Sequence, residues 1–110
     1  MTTEREQLTL AAKACGIRYS IADMCWYLSD GSFVNPWNPL TDDGDCARME
    51  AKLGICIDWC HEIVFSCACI DEEAGTFVNG DEKYADHNGD KSAARRAASV
   101  AVAAEIGRLK

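Results

Sequence analysis

Residues 55–70 read Ile55-Cys56-Ile57-Asp58-Trp59-Cys60-His61-Glu62-Ile63-Val64-Phe65-Ser66-Cys67-Ala68-Cys69-Ile70. The first six alternate. Ile55, Ile57 and Trp59 fall on one side and Cys56, Asp58 and Cys60 on the other, the period-two signature of a strand. The run from Glu62 to Ile70 is nearly unbroken and apolar, which predicts a second strand covered on both faces. Asp71-Glu72-Glu73-Ala74-Gly75 then reads as a turn and Thr76-Phe77-Val78 as a short third strand. Residues 79–90 are polar, contain Gly80, Asn88 and Gly89, and read as a loop.

Helices flank this strand core. Thr3 followed by Glu6 is a capping-box pattern. Leu8, Ala11, Ala12 and Cys15 recur on one helical face, and Gly16 is a stop, so a helix is expected over 3–15. Cys25-Trp26-Tyr27-Leu28 and Phe33-Val34 read as two short strands around a turn at Asp30-Gly31. Asn35-Pro36-Trp37-Asn38-Pro39-Leu40 is irregular, because two prolines in four residues break regular pairing. Thr41-Asp42-Asp43-Gly44-Asp45 opens a second helix with acids at its positive end. That helix has a Cys46, Met49, Leu53 stripe and a stop at Gly54. An alanine-rich final helix starts near Asp90 or Ser92 and runs to about Leu109. The order predicts an α+β fold: a single domain over 1–110 with a small, mostly antiparallel sheet sandwiched between helices.

The chain has 110 residues, 48% hydrophobic and 26% charged, with a net charge of −7. That balance argues against a general nucleic-acid binder, which needs a basic face. The charge is uneven. Residues 40–90 hold thirteen acids against three bases, whereas the last twenty residues hold five bases against one acid. Such an acidic middle reads as solvated loops that keep a small protein soluble; the alternative is that it steers a basic partner. No apolar run reaches the roughly 18–20 residues of a membrane span. The polar start MTTEREQ lacks the character of a secretory signal, which points to the reducing cytosol and free thiols.

Several constellations invite chemistry. Cys56, Cys60, His61, Cys67 and Cys69 are soft-metal ligand types, but neighbours of like face on a strand lie roughly 6.5–7 Å apart, too far for one zinc ion. They read as buried structural thiols. His61 beside Cys60 points to the opposite face, and His87 has no sequence tie to any thiol, so no cysteine nucleophile is assembled. Thr41–Asp45 lacks the spacing of a calcium loop and reads as a helix cap. Asp81-Glu82 with Asp86-His87-Asn88-Gly89-Asp90 reads as solvated loop rather than a hard-metal site. Arg95-Arg96 at a helix start read as ordinary surface arginines; the alternative is phosphate ligands, with Trp37 or Tyr84 to stack a base, although no glycine-rich phosphate loop is present. Trp37, on its proline-flanked loop, is a candidate exposed anchor. No cofactor or metal is expected.

Residues Trp37-Asn38-Pro39-Leu40-Thr41-Asp42-Asp43-Gly44-Asp45, running on to Lys52-Leu53-Gly54, resemble the phage ABA-sandwich domain family, which carries a W-N-P-L-x-x-D-G-D run leading into a helix ending in K-L. Asp90-Lys91-Ser92-Ala93-Ala94-Arg95-Arg96-Ala97-Ala98 through Ala103-Ala104-Glu105-Ile106-Gly107-Arg108 are similar to the family's closing helix, and Ala11–Gly16 to its first helix. The match covers roughly half the chain; Cys46 and the thiol-rich strands depart from it. The resemblance implies a small protein of phages or prophages, with a sheet between helices and no established activity. By class analogy and charge, the expectation is a non-enzymatic accessory protein in the cytoplasm of a bacterial host. It would bind a host protein or nucleoprotein complex with a basic surface, such as a CRISPR effector, through Trp37, Asp42, Asp43, Asp45, Asp71, Glu72, Glu73, Asp81 and Glu82. No direct contact with nucleic acid or membrane is expected, and a homodimer is compatible. The alternatives are a sponge for a nucleotide signal, through Arg95 and Arg96, and a thiol- or metal-dependent enzyme.

Overall fold

The computed structural model describes residues 3–20, 22, 24–28, 31–34 and 37–110, with 33–34 described in their backbone only. Helix α1 spans Glu4–Cys15; the Thr3 hydroxyl accepts from the Glu6 amide, and Gly16 closes the helix in the left-handed region at φ 74°. Strands β1 (Arg18–Ser20), β2 (Cys25–Tyr27) and β3 (Phe33–Val34) form one antiparallel sheet in that order. β1 is additional to the two strands expected in this stretch. The expected turn residue Asp30 and the pair Asn35-Pro36 lie outside the described residues.

Helix α2 (Asp43–Leu53) is followed by β4 (Cys56–Trp59), β5 (Ile63–Asp71) and β6 (Thr76–Lys83), a second antiparallel sheet with β5 at its centre. A 3-10 turn at Tyr84–His87 leads into α3 (Lys91–Arg108), capped by the Asp90 carboxylate on the Ala93 amide. The α+β class, the antiparallel pairing and the three helices are as the sequence implies. One boundary is corrected. Residues 79–90 are not a loop: β6 continues to Lys83 in unbroken register with β5, from Val78 opposite Ala68 to Lys83 opposite Ile63. Its polar residues belong to a strand because one face of the sheet lies in solvent.

That open face is the second correction. β5 is not covered on both sides. Val64, Ser66 and Ala68 are buried, while Phe65 and Cys69, pointing the other way, are exposed. The element covered from several directions is α3, which packs against β5 and β6, against α1 and against α2. Ala98, Val100, Val102 and Ala103 are each fully buried. Burying a valine side chain contributes about 1.5–3 kcal/mol, so α3 is the stabilising axis of the molecule.

Close approach explains why small residues populate α3. A Cβ on Gly107 would lie 1.9 Å from the Leu10 carbonyl oxygen of α1, and a Cβ on Gly80 of β6 would lie 2.8 Å from the Ala98 carbonyl oxygen. Backbone touches backbone at both crossings, and no larger residue fits there.

Candidate functional site

The residues singled out from sequence divide into two groups: those that hold the fold and those that face solvent. Trp37 belongs to the first. It is 5% exposed, packed on Trp26 with ring centroids 5.2 Å apart, and is a core residue rather than a surface anchor. Asn38 folds back so that its side-chain oxygen accepts from the Leu40 amide. The Asn38 amide donates to the buried Asp45 carboxylate at 2.9 Å, and Arg48 donates to the other Asp45 oxygen at 2.6 Å. Asp42 caps α2 by accepting from the Asp45 amide at 2.7 Å. Asp45 is therefore internal, and Asp42 is committed to the cap, although its side chain keeps one exposed side.

Arg95 and Arg96 are likewise spent inside the molecule. Arg95 donates twice to Glu50, through Nε at 2.8 Å and through Nη2. Arg96 donates from Nε to the Leu40 carbonyl at 2.8 Å and from Nη1 to Asp43 at 2.6 Å. Both guanidiniums are engaged within the fold, which disfavours the phosphate-site alternative. Tyr84 is buried, donates its hydroxyl to the Cys60 carbonyl and carries Lys91 over its ring. It offers no free face for a base to stack on from that side.

Sequence reasoning missed Glu50, the hub of this network. The Ser99 hydroxyl donates to Glu50 at 2.6 Å, Ser66 lies 3.1 Å from Ser99, and the Cys46 thiol donates to Glu50 at 3.6 Å. The contacts run from Ser66 on β5, through Ser99 and Arg95 on α3, to Glu50 and Asp43 on α2. Burial and the adjacent Glu50 carboxylate push the Cys46 thiol up to about 12, so it stays protonated and unreactive. The hydrogen bonds that Arg95 donates to Glu50 hold its guanidinium above the ordinary value. The signal available in the sequence was spacing: Cys46, Met49, Glu50 and Leu53 share one face of α2. Leu40–Glu50 on one side and Arg95-Arg96 on the other are thus the two halves of one clasp.

The solvent-facing group lies on the open face of the β4–β6 sheet. Register places Cys56 beside Cys67 and Asn79, Asp58 beside Phe65 and Asp81, and Cys69 beside Phe77. Phe65 is 40% and Phe77 57% exposed. The turn Asp71-Glu72-Glu73 at the end of β5 is exposed, with its Asp71 carboxylate accepting from the Glu73 and Ala74 amides. Asp81 is exposed on this face; Glu82, on the other side of β6, is half-buried and pairs with His87 at 3.0 Å. Cys56 and Cys69 are exposed and Cys60 and Cys67 half-buried, so this cluster is not the set of buried thiols expected; Cys15, Cys25 and Cys46 are the buried ones. Among the described residues, no three His, Cys, Asp or Glu side chains are grouped to hold a metal ion, and no helix is long and apolar enough to cross a membrane.

A groove between α1 and the first sheet, lined by Leu8, Lys13, Arg18, Tyr19, Met24 and Trp26, is broad and open. Within it Tyr19 packs on Trp26, ring centroids 4.9 Å apart and planes tilted by 53°.

No family model matches the chain, and neither the curated proteins nor the solved structures hold a match.

Proposed function

We propose that this chain is a phage or prophage accessory protein of the ABA-sandwich type. In this reading it acts by binding, in the host cytoplasm, a host protein or nucleoprotein complex with a basic surface. The observation that carries the reading is the uncovered face of the β4–β6 sheet. There exposed Phe65 sits in a row with Asp58 and Asp81, and exposed Phe77 sits in a row with Cys69, next to the strand end that leads into the acidic Asp71-Glu72-Glu73 turn. Soluble monomers rarely leave extended apolar surface on an open sheet face unless something covers it. Aromatic residues anchor interfaces, while surrounding carboxylates guide a basic partner and select against acidic ones.

Host defence complexes that hold nucleic acid in basic channels fit this chemistry, and occupying such a channel would inhibit them. Trp37 and Asp45 drop out of the contact set because they hold the fold. Asp58, Phe65 and Phe77 join Asp71, Glu72, Glu73 and Asp81 in it. The test uses purified CRISPR effector complexes and measures target-DNA binding with and without the protein. Competition is expected at low salt, weakening as salt rises, and lost in Phe65→Ser/Phe77→Ser. Equal competition by that variant would refute the assignment of the face. No competition with any effector tested would refute the defence-inhibitor part of the reading.

A further inference from the structure

The open face carries a second feature, independent of any binding partner. Cys56 on β4 and Cys67 on β5 are direct register partners and so project from the same side of the sheet. The hairpin begins with the Cys60 amide donating to the Ile63 carbonyl, so Cys60 and Ile63 are a hydrogen-bonded pair. Such pairs alternate along an antiparallel ladder, which makes Cys56 and Cys67 another. Their Cα atoms are then about 5.5 Å apart, inside the span a disulfide bridges. Both are free thiols with access to solvent. The other cysteines near the surface lack such a partner: Cys69 faces Phe77, and Cys60 faces Ile63.

We infer that Cys56 and Cys67 form a cross-strand dithiol that closes reversibly to a disulfide by exchange with a small disulfide of the glutathione class. The Cys56 thiolate, on the exposed edge strand, attacks one sulfur of glutathione disulfide and releases one glutathione thiolate. The Cys67 thiolate then attacks the Cys56 sulfur of the mixed disulfide, and the second glutathione thiolate leaves. The two protein thiols lose two electrons and two protons, and glutathione disulfide gains both. Hydrogen-bonded pairs hold their side chains slightly farther apart than the other pairs do, so the strands draw together on closure and the bridge is easily reduced again. Closure ties β4 to the centre of its sheet at the row beside Asp58, Phe65 and Asp81.

The experiment treats the reduced native protein with glutathione disulfide, quenches with acid, alkylates the remaining thiols and maps the peptides by mass spectrometry. The expected product joins Cys56 to Cys67, while Cys69 retains a glutathione adduct. Cys69→Ser keeps the bridge. Cys56→Ser and Cys67→Ser each lose it and hold glutathione at the surviving partner. Amide exchange across β4 slows in the bridged form. Stable glutathione adducts on both Cys56 and Cys67 of the wild type, or a bridge that forms only in urea, would overturn the inference. If one serine variant fails to fold, the wild-type map and the other variant still decide.

Discussion

Replacing Glu50 by alanine removes the acceptor on which α2, α3 and β5 converge. The carboxylate takes two hydrogen bonds from Arg95, one from Ser99 and one from Cys46. Glu50→Ala leaves the Arg95 guanidinium without its bidentate partner in a site where that side chain is only 18% exposed. Breaking a buried ion pair from one side costs about 3–5 kcal/mol. Asp43 remains 3.8 Å from Arg95 and Ser66 remains beside Ser99, which places the loss at the lower end, about 3 kcal/mol. Domains of this size are stable by about 5–15 kcal/mol, so the loss is a large share. The thermal midpoint should fall by roughly 12–24 °C, at about 4–8 °C per kcal/mol. Urea unfolding followed by circular dichroism measures it, together with Arg95→Ala and the double variant. The double variant should be less destabilised than the sum of the two by at least about 1 kcal/mol. A Glu50→Ala loss under about 1 kcal/mol at unchanged urea slope, or strict additivity with Arg95→Ala, would refute the hub.

Trp37→Ala should destabilise by about 3–5 kcal/mol in the same urea assay, as for a buried aromatic; a near-neutral result would return Trp37 to the surface. Gly107→Ala forces a methyl group into the Leu10 backbone, and its expected outcome is loss of at least about 3 kcal/mol or of soluble protein, read by thermal melting. Burial pushes the Cys15 thiol up to about 11 and the Cys46 thiol up to about 12, from an ordinary value of 9.0. Between pH 9 and these values the unfolded chain releases protons that the native state still holds, so stability falls as pH rises. The slope is at most about 1.4 kcal/mol per pH unit for each thiol. Cys46→Ala should flatten that decline in urea melts taken across alkaline pH. An aromatic disulfide reagent at neutral pH should titrate Cys56, Cys60, Cys67 and Cys69 quickly in the native protein, and Cys15, Cys25 and Cys46 only after unfolding.

The helices were legible in the sequence because their punctuation is local. Thr3, Gly16, Asp42, Gly54 and Asp90 sit where caps and stops are needed, and each takes that role. The hairpin from Ile55 to Ile70 was legible from its alternation, but the environment of its second strand was not. Phe65, Cys67 and Cys69 are apolar enough to mimic a doubly buried strand, and nothing local distinguishes a covered face from an open one. β6 was missed past Val78 for the complementary reason: Asn79, Asp81 and Lys83 look like loop residues but line the wet side of a sheet. The site reading failed where long-range pairing decides. Arg95 and Arg96 resemble phosphate ligands in isolation; their partners, Glu50, Asp43 and Leu40, lie more than forty residues away in the chain. Trp37 was misplaced because its partner, Trp26, lies on the first sheet, beyond a break no periodicity crosses.

The proposed binding role is tested most directly by affinity capture from bacterial cytosol with three tagged baits compared by quantitative mass spectrometry. The baits are the wild type, Phe65→Ser/Phe77→Ser, and a control altered outside this sheet, at exposed Lys13 of α1. Wild type and the Lys13 variant should retain the same basic protein or complex, released by raised salt and absent from the phenylalanine variant. Identical retention by all three baits, each shown to be folded, would contradict the claim that this protein works through the uncovered face of its second sheet.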